Sequence, residues 1–134
     1  MNLVKSILLV DDDTTANYLH EKLIKKLNIA HDVFTKANGK EALDFIEERY
    51  QAIRSLPSLI LLDINMPVLN GFEFIKDLLG AELLVLKKIP VCILTSSSHP
   101  KDIEKIKELG DYIYVTKPLT EEKLLNIVGK TLAI

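Results

Sequence analysis

The sequence predicts an α/β protein of (βα)5 type, a doubly wound, five-stranded parallel sheet with helices on both faces. Three observations predict it. Short apolar runs alternate five times with segments of helical period. The runs are built from Ile, Leu and Val without polar alternation, which suits strands buried on both faces of a parallel sheet. A chain of 134 residues that is 48 % apolar, with mean hydropathy +0.16, has enough apolar surface for one full domain core and too much for disorder. Right-handed crossovers then make the doubly wound arrangement the natural solution.

The strands are expected near 5–10, 30–35, 58–63, 90–95 and 112–116. The first helix, near 14–27, carries Ala16, Leu19, Leu23 and Leu27 on one face, with Thr14 or Thr15 placed to cap it. The second, near 39–51, turns Ala42, Leu43, Ile46 and Tyr50 inward. The third, near 71–87, contains Gly80, where it breaks or kinks. The fourth, near 100–109, opens on Pro100 and closes on Gly110. The fifth, near 120–132, is capped by Thr120 and points Leu124, Leu125, Val128 and Leu132 inward. Linkers, repeats and low-complexity segments are absent from the sequence.

Composition removes several classes of function. Seventeen basic and 19 acidic residues give a net charge of −2, without the basic stripe of a nucleic-acid-binding protein. No stretch approaches the ~20 apolar residues of a membrane span. The polar start Met1–Ser6, with a short apolar run behind it, does not read as a signal peptide. The single cysteine, Cys92, lies within an apolar run and reads as a small core residue in a reducing compartment. The expectation is a cytoplasmic single domain, 1–134.

The chemistry collects where the strands end. Ile7-Leu8-Leu9-Val10 runs into Asp11-Asp12-Asp13, and Leu59-Ile60-Leu61-Leu62 into Asp63. Val91-Cys92-Ile93-Leu94 runs into Thr95, and Tyr112-Ile113-Tyr114-Val115 into Thr116-Lys117-Pro118. Parallel strands place all four ends on one edge, where such sheets bind ligands. Carboxylates about 4 Å apart repel by roughly 4 kcal/mol per pair at an effective dielectric of 20, so the cluster needs a counter-ion. Magnesium, a hard cation held by one or two carboxylates plus phosphate, meets that need. Asp13 alone reads as a helix cap favoured by the helix dipole. Asp63 has two readings, a third metal ligand or a nucleophile that forms an aspartyl phosphate. Lys117 suits either a phosphate oxygen or a salt bridge to the acids, and the two are compatible. Thr95 adds a hydroxyl beside them.

These segments, together with Asn38-Gly39-Lys40-Glu41-Ala42-Leu43 and Ile64-Asn65-Met66-Pro67-Val68-Leu69-Asn70-Gly71, resemble the receiver domain of two-component response regulators along the whole chain. The resemblance implies a flavodoxin-like sheet and a phosphoprotein that is a signalling switch rather than an enzyme, assisting its own phosphotransfer and autodephosphorylation. It implies that Asp63 accepts a phosphoryl group from the phosphohistidine of a sensor histidine kinase. Asp12 and Asp63 would bind Mg2+ directly, Asp11 through water and Asn65 through its carbonyl. Lys117 would contact the phosphoryl group, with a cis Lys117–Pro118 bond. Thr95 and Tyr114 would form the switch, changing the face made by the fourth helix, fifth strand and fifth helix. A downstream partner, or a second copy in a homodimer, would meet that face.

Two segments, 49–58 and 77–88, are longer than in the most compact receivers and are similar to single-domain receivers that pair with bacterial phytochromes. The chain ends after the fifth helix, so no output domain is expected. Three other functions fit these residues less well. An aspartyl-phosphate hydrolase usually needs a general acid two residues past the nucleophile, where Asn65 stands. A flavin or nucleotide module needs a Gly-rich or hydroxyl-rich loop after the first strand, where Asp11-Asp12-Asp13 stands. A receiver-shaped module that is never phosphorylated has no use for the intact Asp12, Asp63, Thr95 and Lys117. Tyr112, on the same strand face as Tyr114, is either part of an aromatic docking patch or a β-favouring edge residue. His20, His31 and His99 lack ligand spacing and read as surface or loop residues.

Overall fold

A computed structural model describes residues 3–63, 71–79, 88–95, 104, 107–108 and 112–132. Five strands, β1 (Val4–Val10), β2 (Ala30–Lys36), β3 (Leu59–Asp63), β4 (Val91–Thr95) and β5 (Ile113–Thr116), form one sheet in the order β2-β1-β3-β4-β5. Every neighbouring pair is parallel. Among the described residues, these helices accompany them: α1 (Thr14–Lys26), α2 (Gly39–Ile53), α3 (Gly71–Leu79) and the C-terminal α4 (Glu121–Leu132). The predicted helix at 100–109 is described only at Glu104, Lys107 and Glu108, which are helical; the Gly80 kink lies outside the described residues.

Burial on both faces explains the unbroken apolar strands. On one face Leu8, Val10, Ile60, Leu62, Val91 and Ile93 meet Ala42 and Ile46 of α2 and Phe74, Ile75 and Leu78 of α3. On the other, Leu9, Leu59, Leu61, Cys92 and Leu94 meet Ile24 of α1 and Leu124, Ile127 and Val128 of α4. Cys92 is fully buried, and burial pushes its thiol up to about 12 despite the opposing charge of Lys130. It is the small core residue that the sequence predicts.

The helix faces need correction. In α1 the buried residues are Asn17, His20 and Ile24, whereas Leu19 is 56 % exposed. Leu23 and Leu27 only flank the core. A polar tie sets this rotation: the Asn17 amide donates to the Asp11 carbonyl at 2.9 Å, which turns positions 17, 20 and 24 towards the sheet. The cap is Asp13, which accepts from the N–H groups of Thr15 and Ala16, and not Thr14 or Thr15. In α4, Leu124 and Val128 are buried as expected, with Ile127 between them. Leu125 and Leu132 are 44 % and 55 % exposed, because one helix buries a single stripe and 124-127-128 occupies it. Thr120 does cap α4, its hydroxyl accepting from the Lys123 N–H.

Candidate functional site

Strand register assembles the site. Val10 pairs with Leu62, so Asp11 and Asp63 leave the sheet side by side. Leu94 pairs with Asp63, and Thr95 pairs with Thr116, the residue before Lys117. The chain moves from β1 outward to β2 and then back across to β3. The reversal opens the crevice where doubly wound sheets bind ligands.

In that crevice Asp11, Asp12 and Asp63 each offer a carboxylate oxygen within 4.8 Å of the others. Asp11 and Asp63 are only 3 % and 6 % exposed, whereas Asp12 faces solvent. The Lys117 ammonium lies 2.7 Å from Asp11 Oδ2 and 3.7 Å from Asp63 Oδ1. Asp11 Oδ1 accepts the Asp13 N–H at 2.9 Å, so both oxygens of Asp11 already have protein partners. Burial alone pushes the Lys117 ammonium down. Its hydrogen bond to Asp11, and the charges of Asp63, Asp11 and Asp13, more than offset this and hold it above its ordinary value. Lys117 is therefore a fixed positive charge at any physiological pH.

Backbone contacts hold these groups in register. The Lys117 N–H donates to the Thr95 carbonyl at 2.7 Å, and the Lys117–Pro118 bond is cis, as the resemblance implies. Thr95 is 4 % exposed at the end of β4. Tyr114 on β5, and Tyr112 just before the strand begins, pack half-buried against the cluster under α2 and α3. The Lys107 ammonium lies 5.9 Å above the Tyr114 ring. Asn65 lies outside the described residues, as does His99. His31 is exposed beside Asp32, as expected.

Three residues close to the site carried no warning in the sequence. Asn17 ties the Asp11 carbonyl, and more weakly the Lys36 carbonyl, to α1. His20 is buried, a correction to its reading as a surface residue. Burial, and then the nearby Lys117 charge, hold its imidazole below the ordinary value against the opposing pull of Asp11 and Asp13. Lys123 sends its ammonium back from α4 onto the loop that bears Lys117. Nothing in their local spacing separates them from ordinary helix residues. A groove of about 570 Å³ opens beside the site between α1 and α2, lined in part by Tyr18, Glu21, Asp44 and Phe45. Its two rings already lie under Lys22 and Lys36, and the strand-end carboxylates are elsewhere.

The arrangement has a clear chemical capacity. Three carboxylates against one ammonium leave the cluster negative, and the donors are all hard oxygens. That set fits a hard divalent cation such as Mg2+, which prefers carboxylates and retained waters. With the cation bound, an anionic group could sit among Lys117, the metal and the strand ends.

Comparison with known proteins agrees with this geometry. Residues 7–129 match the response regulator receiver domain. Response regulator Rcp1 of Synechocystis sp. is 32 % identical over 128 residues, covering 95 % of this chain and 86 % of Rcp1. A two-component response regulator from Cytophaga hutchinsonii superimposes with a TM-score of 0.86 at 34 % identity, covering 100 % of both chains. A phosphorylated cyanobacterial phytochrome response regulator, RcpA, gives 0.76 at 32 % identity, covering 94 % of this chain and 89 % of RcpA. The chain belongs to the response regulator receiver domain family. Among the described residues, no helix is long and apolar enough to cross a membrane.

Proposed function

We propose that this receiver domain is a phosphorylation-controlled switch whose acceptor is Asp63. One observation carries the reading: Asp63 is a 6 %-exposed carboxylate at the end of a central strand, 3.7 Å from the Lys117 ammonium and beside two further carboxylates. A buried acid so placed is costly to the fold and suited to attack on phosphorus. An Asp63 oxygen forms the new O–P bond while the P–N bond of a kinase phosphohistidine breaks, and the departing imidazole nitrogen keeps the electron pair. Lys117 balances charge on the phosphoryl oxygens as they approach. Asp12 and Asp63 would hold Mg2+ directly. Asp11, with both oxygens engaged by Lys117 and the Asp13 N–H, would hold it through water. When bound, the ion would supply positive charge to offset the carboxylates and the incoming phosphoryl group.

The switch then follows from differential contacts. Phosphorylation favours whichever arrangement of Thr95 and Tyr114 bonds the new phosphoryl oxygens better. The face bearing β5 and α4 reads the change out to a downstream protein or a second copy of the chain. On this reading the domain is a signalling element that assists its own phosphotransfer and dephosphorylation, in the cytoplasm, rather than a metabolic enzyme. The phosphorylated phytochrome regulator among its relatives supports a phytochrome-type sensor histidine kinase as donor.

Borohydride trapping tests the acceptor. After treatment with acetyl phosphate and Mg2+, reduction of the acyl phosphate should convert residue 63, and no other aspartate, to homoserine in a peptide map. Homoserine at position 11 or 12 would move the acceptor.

A further inference from the structure

We propose that Lys123 is the positioning residue for Lys117, an inference that takes the role of Lys117 from the phosphoryl-acceptor reading above. The Lys123 ammonium donates to the Thr116 carbonyl at 2.7 Å and to the Pro118 carbonyl at 3.2 Å. Those two carbonyls bracket Lys117 in the chain. Among the described residues, neither carbonyl also accepts a backbone N–H from a loop or cap. Bonds from an ammonium to neutral oxygens are charge-assisted and stronger than ordinary ones.

The base from which Lys123 reaches is rigid. Its own N–H bonds Thr120 Oγ1 in the cap of α4, and the next residue, Leu124, is fully buried, with Leu119 nearly so. Lys117 is thus held from two directions: its N–H on Thr95 and its flanking carbonyls on Lys123. With the backbone fixed, the Lys117 side chain has only its own torsions to settle in reaching Asp11 and Asp63. The two lysines divide the work, Lys117 facing carboxylates and Lys123 facing carbonyls. Lys123 therefore aligns the cation without competing for the acids.

The test compares phosphorylation by acetyl phosphate at saturating Mg2+ in the wild type, Lys123→Met, Lys123→Arg and Lys130→Met. Lys130→Met removes the same charge from an exposed position of the same helix. Loss of both bonds should slow phosphorylation about tenfold in Lys123→Met, with Lys123→Arg recovering most of the rate. Lys130→Met should match the wild type. The Mg2+ concentration for half-saturation should stay within about twofold in all four, because Lys123 does not touch the acids. Hydrogen exchange of the Lys117 amide should quicken about tenfold in Lys123→Met alone. Lys123→Met behaving like Lys130→Met in both rate and exchange would overturn the inference. Should Lys123→Met fail to fold, Lys123→Gln, which keeps a donor on a shorter stem, takes its place under the same criteria. A wild type that takes up no phosphoryl group would count against the acceptor reading, and the amide exchange would still decide whether Lys123 holds Lys117.

Discussion

Leu61 and Asp63 stand two residues apart on β3, 1 % and 6 % exposed, with the same strand direction and almost the same burial. Leu61 sits among the apolar side chains that α1 and α4 cover. Asp63 sits one pleat further along, beside two other carboxylates and one ammonium. The first kind of burial releases water from apolar surface and stabilises the fold. The second removes a charge from water and sets it near like charges, which costs stability unless a cation compensates. Equal burial with opposite energetic sign teaches that the strand body is built for the core and the strand end for a ligand. Positions that break the rules of stability in this way are where function is expected.

The contrast can be broken or sharpened by experiment, from the largest effect to the smallest. Leu61→Ala should lower stability by about 2–5 kcal/mol in urea unfolding, the usual cost of emptying a core leucine site. A loss under ~1 kcal/mol would mean that the strand body is not the tightly packed layer described. Mg2+ at a hundredfold excess over its dissociation constant should add about 2.7 kcal/mol to the wild type. Asp12→Ala should lose most of that gain, and an undiminished gain would remove the acid cluster as the metal site. Without Mg2+, Asp63→Asn should be at least as stable as the wild type, and by up to about 1 kcal/mol more so, since one repelling charge is gone from the acid cluster and the ion pair to Lys117 is a long one. A clear destabilisation would show that Asp63 behaves like a structural residue.

The smallest expected effect concerns His20. Its folded-state imidazole titrates below the ordinary value, so the unfolded chain takes up a proton first as the pH falls. Stability is therefore unaffected well above the ordinary value of 6.5 and declines as pH falls below it, levelling off once the folded state protonates. Replacing His20 with Gln should flatten the fall in melting temperature as the pH drops below 6.5. An unchanged profile would assign that acid sensitivity to other groups.

The same contrast explains what was legible in the sequence. Strands buried on both faces leave unbroken runs such as Leu59–Leu62, and their positions and parallel pairing follow from periodicity and alternation with helices. Asp11, Asp63, Thr95 and Lys117 were legible because each ends such a run. The rotation of α1 was not legible. It depends on Asn17 reaching the Asp11 carbonyl, a tertiary contact that overrides the apolar stripe through Leu19. Lys123 was hidden for a related reason, since its partners are backbone carbonyls and leave no trace in residue type. Side chains that serve the site from helices look like surface or core residues until the fold brings them to the strand ends.

The most direct test of the central claim is intact mass after incubation with acetyl phosphate and Mg2+, in the wild type and in Asp63→Asn. The account predicts a gain of one phosphoryl group by the wild type, absent when EDTA removes the metal and absent in Asp63→Asn. A gain that survives in Asp63→Asn, or that ignores EDTA, would contradict it.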